Sequence, residues 1–183
     1  MSFYKQGKII KPKVLVSDCD GVLSTHHFYY TTEGKIMKKY SADDNDVLSF
    51  IKPYLTDIVF VTGDKRGFDI TKKRVEDMKC KIDLVSTIKR LDWIKERYNP
   101  EEVIYIGDGI LDGLVFQGVG YAITTNDAFT YVKQFADYIT SKNGGDRCFA
   151  EACLHLMKKF FKVFDYEYIG ENEDTNKYRD WTV

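Results

Sequence analysis

Net charge is nearly absent from this 183-residue chain: 27 lysine and arginine residues face 28 aspartate and glutamate residues, leaving −1. A surface with no dominant sign offers no electrostatic capture for nucleic acid or for an anionic membrane, so neither is expected as a partner. No apolar run approaches the length of a membrane span. The N-terminal MSFYKQGKIIKPK lacks the apolar core of a secretory signal. The four cysteines, Cys19, Cys80, Cys148 and Cys153, show neither a CxxC pair nor metal-ligand spacing. Reduced, packed thiols in a cytoplasmic protein are the expectation. Repeats and low-complexity linkers are missing too. What is present is the composition of a soluble globular protein, 44% hydrophobic and 30% charged, at a length that fits one domain with a full core. Aromatics are plentiful, with 13 Tyr and 12 Phe, which points to buried interface in addition to core.

Residues 13–23, KVLVSDCDGVL, carry the most chemical information. Val14, Leu15 and Val16 read as a short buried strand, and Asp18-Cys19-Asp20-Gly21 as the loop that leaves it. Open α/β sheets place their ligands at the carboxyl ends of strands. Two carboxylates buried there need a cation or several hydrogen bonds. A hard metal ion fits, with one Asp attacking a phosphate and the other handling the proton. A calcium loop is the competing reading, but it requires an acid or amide at 22 and Glu at 29, where Val22 and Tyr29 stand. Cys19, between the acids, reads as a small buried side chain pointing away from the metal.

Strand-like and helix-like segments alternate through the chain, which predicts an α/β fold with a parallel sheet covered by helices. Strands are predicted at 13–17, 57–62, 82–85, 102–106, 119–123 and 137–139. Helices are predicted at 43–52, 67–79, 87–98, 110–117, 127–135 and 147–161. Residues 24–41 break the alternation: two short β-like runs, 26–31 and 35–40, flank Glu33-Gly34 and read as a β-hairpin flap, too short for a cap domain. His26 and His27 in that flap read as surface or interface residues. The expected organisation is a single domain over 1–183, with a core of about 12–161, the flap at about 24–41 and a tail at about 162–183.

Three further segments carry chemistry. VFVTGD, 59–64, ends a strand in Thr62-Gly63, whose hydroxyl and backbone amides can hold a phosphate oxygen, though Thr before a turn is also ordinary turn chemistry. STIKRLDWIKERY, 86–98, puts Lys89 and Arg90 near a helix start, where a cation opposes the helix dipole unless an anion sits there; a solvated charge is the plain alternative. VIYIGDGILDG, 103–113, ends a strand in Gly107-Asp108, with Asp112 one helical turn on. Capping explains one acid there, not two acids with flanking glycines. Magnesium prefers one or two direct carboxylates and several waters, which Asp18 and Asp108 can supply with Asp112 behind them.

Acid pair, Thr, Lys/Arg, acid pair, each at or just after a strand end: in that order the segments resemble the haloacid dehalogenase-like superfamily of phosphotransferases, over about residues 12–157. DCDGVL, Tyr29-Tyr30, Glu33-Gly34, Tyr40-Ser41, Asp44 and the later GGDRCFAEACLHLM look like its capless subgroup of 3-deoxy-octulosonate 8-phosphate phosphatases, which also includes phosphatases for nine-carbon acid-sugar 9-phosphates. The resemblance implies a Rossmann-like sheet with helices on both faces and a magnesium-dependent phosphatase acting on a small phosphorylated acid sugar through an aspartyl-phosphate. It also implies a hairpin that joins protomers into a homotetramer. Asp18 is then the nucleophile and Asp20 the acid–base. Thr62, Gly63, Lys89 and Arg66 hold the substrate, with Lys89 preferred to Arg90. Asp18, Asp20, Asp108 and Asp112 surround the metal, Asp20 through its backbone carbonyl, and the side chains of residues 18, 20 and 108 are expected to converge on one cation.

Departures fall where substrate would lie. Ser24-Thr25-His26 follows the first motif in place of Thr-Asp-Gly, Asp64 stands where Arg usually follows Thr-Gly, Gly109 replaces a second adjacent Asp, and Ala150 replaces the Arg before Glu151. They keep a second reading open: a catalytically weak phosphate-binding or regulatory module.

Overall fold

A computed structural model describes residues 11–161. The tail from 162 onward, with its Tyr166, Tyr168, Tyr178 and Trp181, lies outside the described residues. Six parallel strands form one sheet: β1 (Val14–Asp18), β4 (Asp57–Thr62), β5 (Lys81–Leu84), β6 (Val103–Ile106), β7 (Tyr121–Thr124) and β8 (Tyr138–Ile139), in the order β5-β4-β1-β6-β7-β8. The chain leaves β1 for one edge and later crosses to the other. The switch point is β1 itself, between β4 and β6, and its carboxyl end is the place for a ligand crevice.

All five residues of β1 are buried, so both faces of the sheet are covered. Leu15 joins a core on one face with Phe60, Ile104, Val75 and Phe149; Val14 and Val16 join the other with Val61, Tyr105, Ile94 and Phe116. The helices divide accordingly. α1 (Asp43–Asp46), α2 (Leu48–Ile51), α3 (Phe68–Asp77) and α6 (Cys148–Leu156) serve the first core. α4 (Arg90–Arg97) and α5 (Asp112–Phe116) serve the second. Cys19 is fully buried in the first core.

Each predicted strand is present within two residues at either end. The helices are more altered. The predicted 43–52 helix is α1 and α2, separated at Val47, whose dihedrals stay helical, followed by a 3-10 turn that holds Pro53. The helix expected over 127–135 reduces to a 3-10 turn at Val132–Phe135. The chain at its start is bonded elsewhere: the amide of Asn126, just before it, donates to the Lys142 carbonyl, the Phe129 amide donates to the Asp108 carbonyl, and the Asp127 side chain accepts from the Gly144 amide. The last helix passes into a π-helical turn at Met157–Phe161.

Between β1 and α1 the described residues form the hairpin, an antiparallel pair of β2 (Tyr29–Thr31) and β3 (Gly34–Met37), shorter than the predicted runs, together with isolated bridges from Ser24 to Asp20 and Tyr40. Phe28, Tyr29, Tyr30, Ile36 and Met37 on it are exposed.

Candidate active site

The acidic segments meet at the carboxyl ends of β1, β4 and β6. Asp18 is the last residue of β1, Thr62 the last of β4, and Gly107-Asp108 follows β6. Asp112 opens α5 and Arg90 opens α4. One carboxylate oxygen each from Asp18, Asp108 and Asp112 lies within 4.8 Å of the others.

Asp112 organises this end of the sheet. Its Oδ2 accepts from the backbone amides of Asp108 (3.0 Å) and Gly109 (2.8 Å), which shapes the loop after β6. Its Oδ1 accepts from the Tyr105 hydroxyl (2.6 Å) and from Arg90 (3.0 Å). Both oxygens are thereby satisfied, and Asp112 is left to orient its neighbours. Arg90 is held between Asp112 and Asp18, donating to Asp18 Oδ1 at 3.0 Å and lying 2.9 Å from Oδ2, a forked, charge-assisted contact. The amide of Cys19 adds a further bond to Asp18 Oδ1 at 2.7 Å.

Asp108 has no such support. Its Oδ1 is buried without a hydrogen-bond partner. Burial, then Asp18, Asp112 and Asp127, pushes its carboxyl far above the usual carboxylate range. Burial likewise raises Asp18, against the pull of Arg90. An orphaned oxygen among like charges is what a hard cation relieves, and oxygen donors of this kind fit a magnesium ion. Asp18 and Asp108 are the carboxylates placed to hold one.

Two glycines let the loops close. Gly21 has φ +87°, a left-handed conformation, and a Cβ there would stand 2.0 Å from Asp108 Oδ2. A Cβ on Gly144 would stand 2.1 Å from the Gly21 carbonyl oxygen. The segment after β8 therefore presses the acidic loop onto Asp108, and Glu151 fixes that segment by accepting from the Ser141 and Lys142 amides and from the Ser141 and Tyr138 hydroxyls.

Asp20 faces another way. Its Oδ1 accepts from Lys38 Nζ (2.6 Å) and Ser24 (3.2 Å), and its Oδ2 from the Thr62 hydroxyl (3.1 Å). The expected convergence of side chains 18, 20 and 108 is thus corrected: Asp112 stands in the cluster, while the Asp20 carboxylate turns toward the flap. A cavity of about 330 Å³ runs along Asp18, Asp20, Gly63, Arg90, Lys35 and Phe28. A second, of about 610 Å³, opens past Asp18 and Asp108 toward His26 and Asp127, which lie 3.4 Å apart.

Two other expectations need correction. Lys89 is exposed and lines a separate hollow with Asp83, Trp93 and Glu96. α4 begins one residue later, and a single step turns a side chain through about 100°, so Arg90 enters the site and Lys89 leaves it. Arg66 is exposed and lines neither cavity at the site. In place of the cation expected after Thr62-Gly63, Asp64 accepts from Lys35, lies 2.9 Å from Lys38 and accepts from the Gly67 amide at 3.1 Å. Burial works against the charge, but these lysines hold the Asp64 carboxyl down at about 2. Sequence reasoning missed Tyr105 and Lys38. A tyrosine within an apolar strand reads as core, and a lysine in a flap reads as solvated.

Two carboxylates and a guanidinium at the switch point of a doubly wound sheet, beside a cavity of about 330 Å³, are the arrangement of a phosphate-handling hydrolase site. A profile of the haloacid dehalogenase-like hydrolases matches residues 25–147. The chain belongs to that family. It is 26% identical over 167 residues to the 3-deoxy-D-manno-octulosonate 8-phosphate phosphatase of Haemophilus influenzae, covering 87% of this chain and 92% of that one. The Escherichia coli K12 enzyme of the same name is 27% identical over 154 residues, 79% of each chain. The structure of the cobalt-bound Haemophilus influenzae phosphatase superposes with a TM-score of 0.76 at 25% identity, covering 86% of this chain and 95% of that one. The Moraxella catarrhalis enzyme, in complex with magnesium ion, phosphate ion and KDO, has the same fold, with a TM-score of 0.73 at 23% identity over 83% and 91% of the chains.

Proposed function

We propose that the chain is a magnesium-dependent phosphoric monoester hydrolase that acts on an acid-sugar phosphate of the octulosonate 8-phosphate or nonulosonate 9-phosphate type. The observation that carries the activity is the arrangement of Asp18: a buried carboxylate at the end of the central strand, oriented by a forked arginine, with the unpartnered oxygen of Asp108 beside it.

Asp18 attacks phosphorus and forms an aspartyl-phosphate. The bond from phosphorus to the leaving oxygen breaks, and Asp20 supplies the proton that oxygen takes. Asp20 then takes a proton from water, which attacks phosphorus and frees Asp18. Arg90 and the backbone at Gly63 hold the phosphoryl oxygens, the Thr62 hydroxyl donates to Asp20, and Asp112 with Tyr105 keeps Arg90 aimed. Magnesium held by Asp18, Asp108 and the Asp20 carbonyl would offset the charge of the phosphate. Such hydrolysis is among the slowest uncatalysed reactions, so electrostatic positioning of this kind has to supply most of the acceleration.

The acid-sugar reading is supported by the relatives' names and by the smaller cavity, whose wall combines the Lys35–Asp64 ion pair with the Phe28 ring. Homotetramer formation through the flap is supported by its exposed aromatic and aliphatic face.

The test is a magnesium-dependent phosphate-release screen across acid-sugar phosphates and small phosphomonoesters, with Asp18→Asn as the control. Wild-type turnover that falls at least about 10³-fold in Asp18→Asn is expected. Unchanged turnover in the variant removes the nucleophile assignment. Silence of the wild type against the panel, with phosphate binding retained, returns the binding-module alternative.

A further inference from the structure

Lys38 follows β3 at the root of the flap, and its side chain is 0% exposed. A lysine ammonium has three protons to donate and no capacity to accept. Here the ammonium is spent on three partners: Asp20 Oδ1 at 2.6 Å, Thr71 Oγ1 at 2.7 Å and Asp64 Oδ2 at 2.9 Å. They come from three places, the loop after β1, the helix α3 and the loop after β4. A cation so committed has no proton left for a phosphate oxygen, which sets it apart from Arg90. A charge taken out of water needs close pairing, so a lysine buried here has to be matched by these carboxylates.

The consequence for Asp20 is geometric. Lys38 and Ser24 occupy Oδ1. Oδ2 takes a single hydrogen bond among the described residues, from the Thr62 hydroxyl. One oxygen is anchored and the other is left for proton transfer. We propose that Lys38 is the positioning residue for proton transfer by Asp20: by pinning Oδ1 it presents Oδ2 to the leaving oxygen, and it ties that presentation to the root of the flap. The inference rests on the phosphatase reading above. In the step concerned, the Asp18–phosphorus bond forms as the phosphorus–oxygen bond of the ester breaks. The electron pair left on the departing oxygen takes the proton from Asp20 Oδ2. Lys38 itself exchanges no proton.

The test compares two leaving groups. A sugar phosphate releases an alkoxide that needs the proton; p-nitrophenyl phosphate releases a stable phenolate that does not. Steady-state kcat/KM reports the steps through alcohol release, and general-acid assistance is worth about 10²–10⁴-fold. Lys38→Met is expected to lower kcat/KM about 10²-fold or more for the best sugar phosphate of the panel. For p-nitrophenyl phosphate the loss is expected to stay under about threefold, and Lys38→Arg should recover much of the first loss. Asp20→Asn calibrates the split. An equal fall on both substrates in Lys38→Met, with the split intact in Asp20→Asn, overturns the role of Lys38 alone. No split in Asp20→Asn, or a wild type inactive on both, overturns the underlying reading instead. Should Lys38→Met fail to show a cooperative melt, Thr71→Val is measured, since it removes one acceptor of the ammonium and no charge. A split in the same direction, about fivefold, is expected there, and its absence overturns the proposal.

Discussion

Arg90 and Lys89 are neighbours in sequence and belong to different surfaces in the fold. Arg90 joins Asp18 to Asp112, while Lys89 is exposed. Arg90→Lys keeps the charge but loses the fork, and phosphatase kcat/KM is expected to fall about 10- to 100-fold. Lys89→Ala is expected to stay within about twofold; the opposite ranking in steady-state assays would reinstate Lys89. The sequence offered both cations, and the difference between them is a matter of where the first turn of α4 starts, which no local signal marks. Asp44 poses a different residue-scale problem. It is fully buried, its Oδ1 accepts from the Ala150 amide, and its Oδ2 has no partner. Burial raises its carboxyl to about 7. The folded protein therefore retains a proton that the unfolded chain, with an ordinary value of 3.8, has already lost. Stability should fall as pH rises from about 4 to about 7. Asp44→Asn keeps the acceptor and removes the charge. It should flatten that profile and raise stability at pH 8 by about 1–4 kcal/mol in denaturant titrations.

At the scale of elements, the buried strands were legible because continuous apolar runs ending in Asp, Thr or Gly have few other uses. β1, β4 and β6 are fixed in this way, and with them the positions of Asp18, Thr62 and Asp108. Residues 127–135 were not legible: their periodicity suits a helix, and long-range bonds to Asp108, Lys142 and Gly144 override it. The closing segment could be read as a pattern but not as a device. Only the fold shows Gly144 against Gly21 and Glu151 bracing the turn between them and β8. The flap exposes Tyr29, Tyr30, Ile36 and Met37 on its two strands. Apolar side chains grouped in this way make this face the one to test for association. A homotetramer is expected in analytical ultracentrifugation, and Tyr30→Ser with Ile36→Ser should shift the population to smaller species while leaving the melting profile cooperative. An unaltered mass would place the contact elsewhere.

The molecule as a whole sets two acidic loops against each other at the point where the sheet changes direction. Without a cation that arrangement is a standing source of repulsion, seen in the raised carboxyls of Asp18 and Asp108. Millimolar magnesium should therefore raise the melting temperature, by the equivalent of about 2.7 kcal/mol at a hundredfold excess over Kd. Asp108→Asn should melt higher than the wild type in chelator at pH 8 and lose the magnesium-induced increment. Calorimetry with and without the ion separates the two effects. An increment that survives in the variant would remove Asp108 from the ligand set. The doubly wound architecture was legible from the alternation of segments, and the grouping of acids from their strand ends. That Asp112 and not the Asp20 side chain completes the cluster depends on side-chain direction, which strand-end position does not encode.

Gly21 and Asp108 illustrate what this packing means over evolutionary time. The Asp108 carboxylate rests where a methyl group at position 21 would have to be. Any side chain gained there evicts the aspartate, whereas a lineage that loses the aspartate is freed of that contact and still keeps a left-handed turn that favours glycine. The dependence accordingly runs one way: the aspartate cannot outlast the glycine, so a descendant that has given up hydrolysis would carry the first scar at position 108.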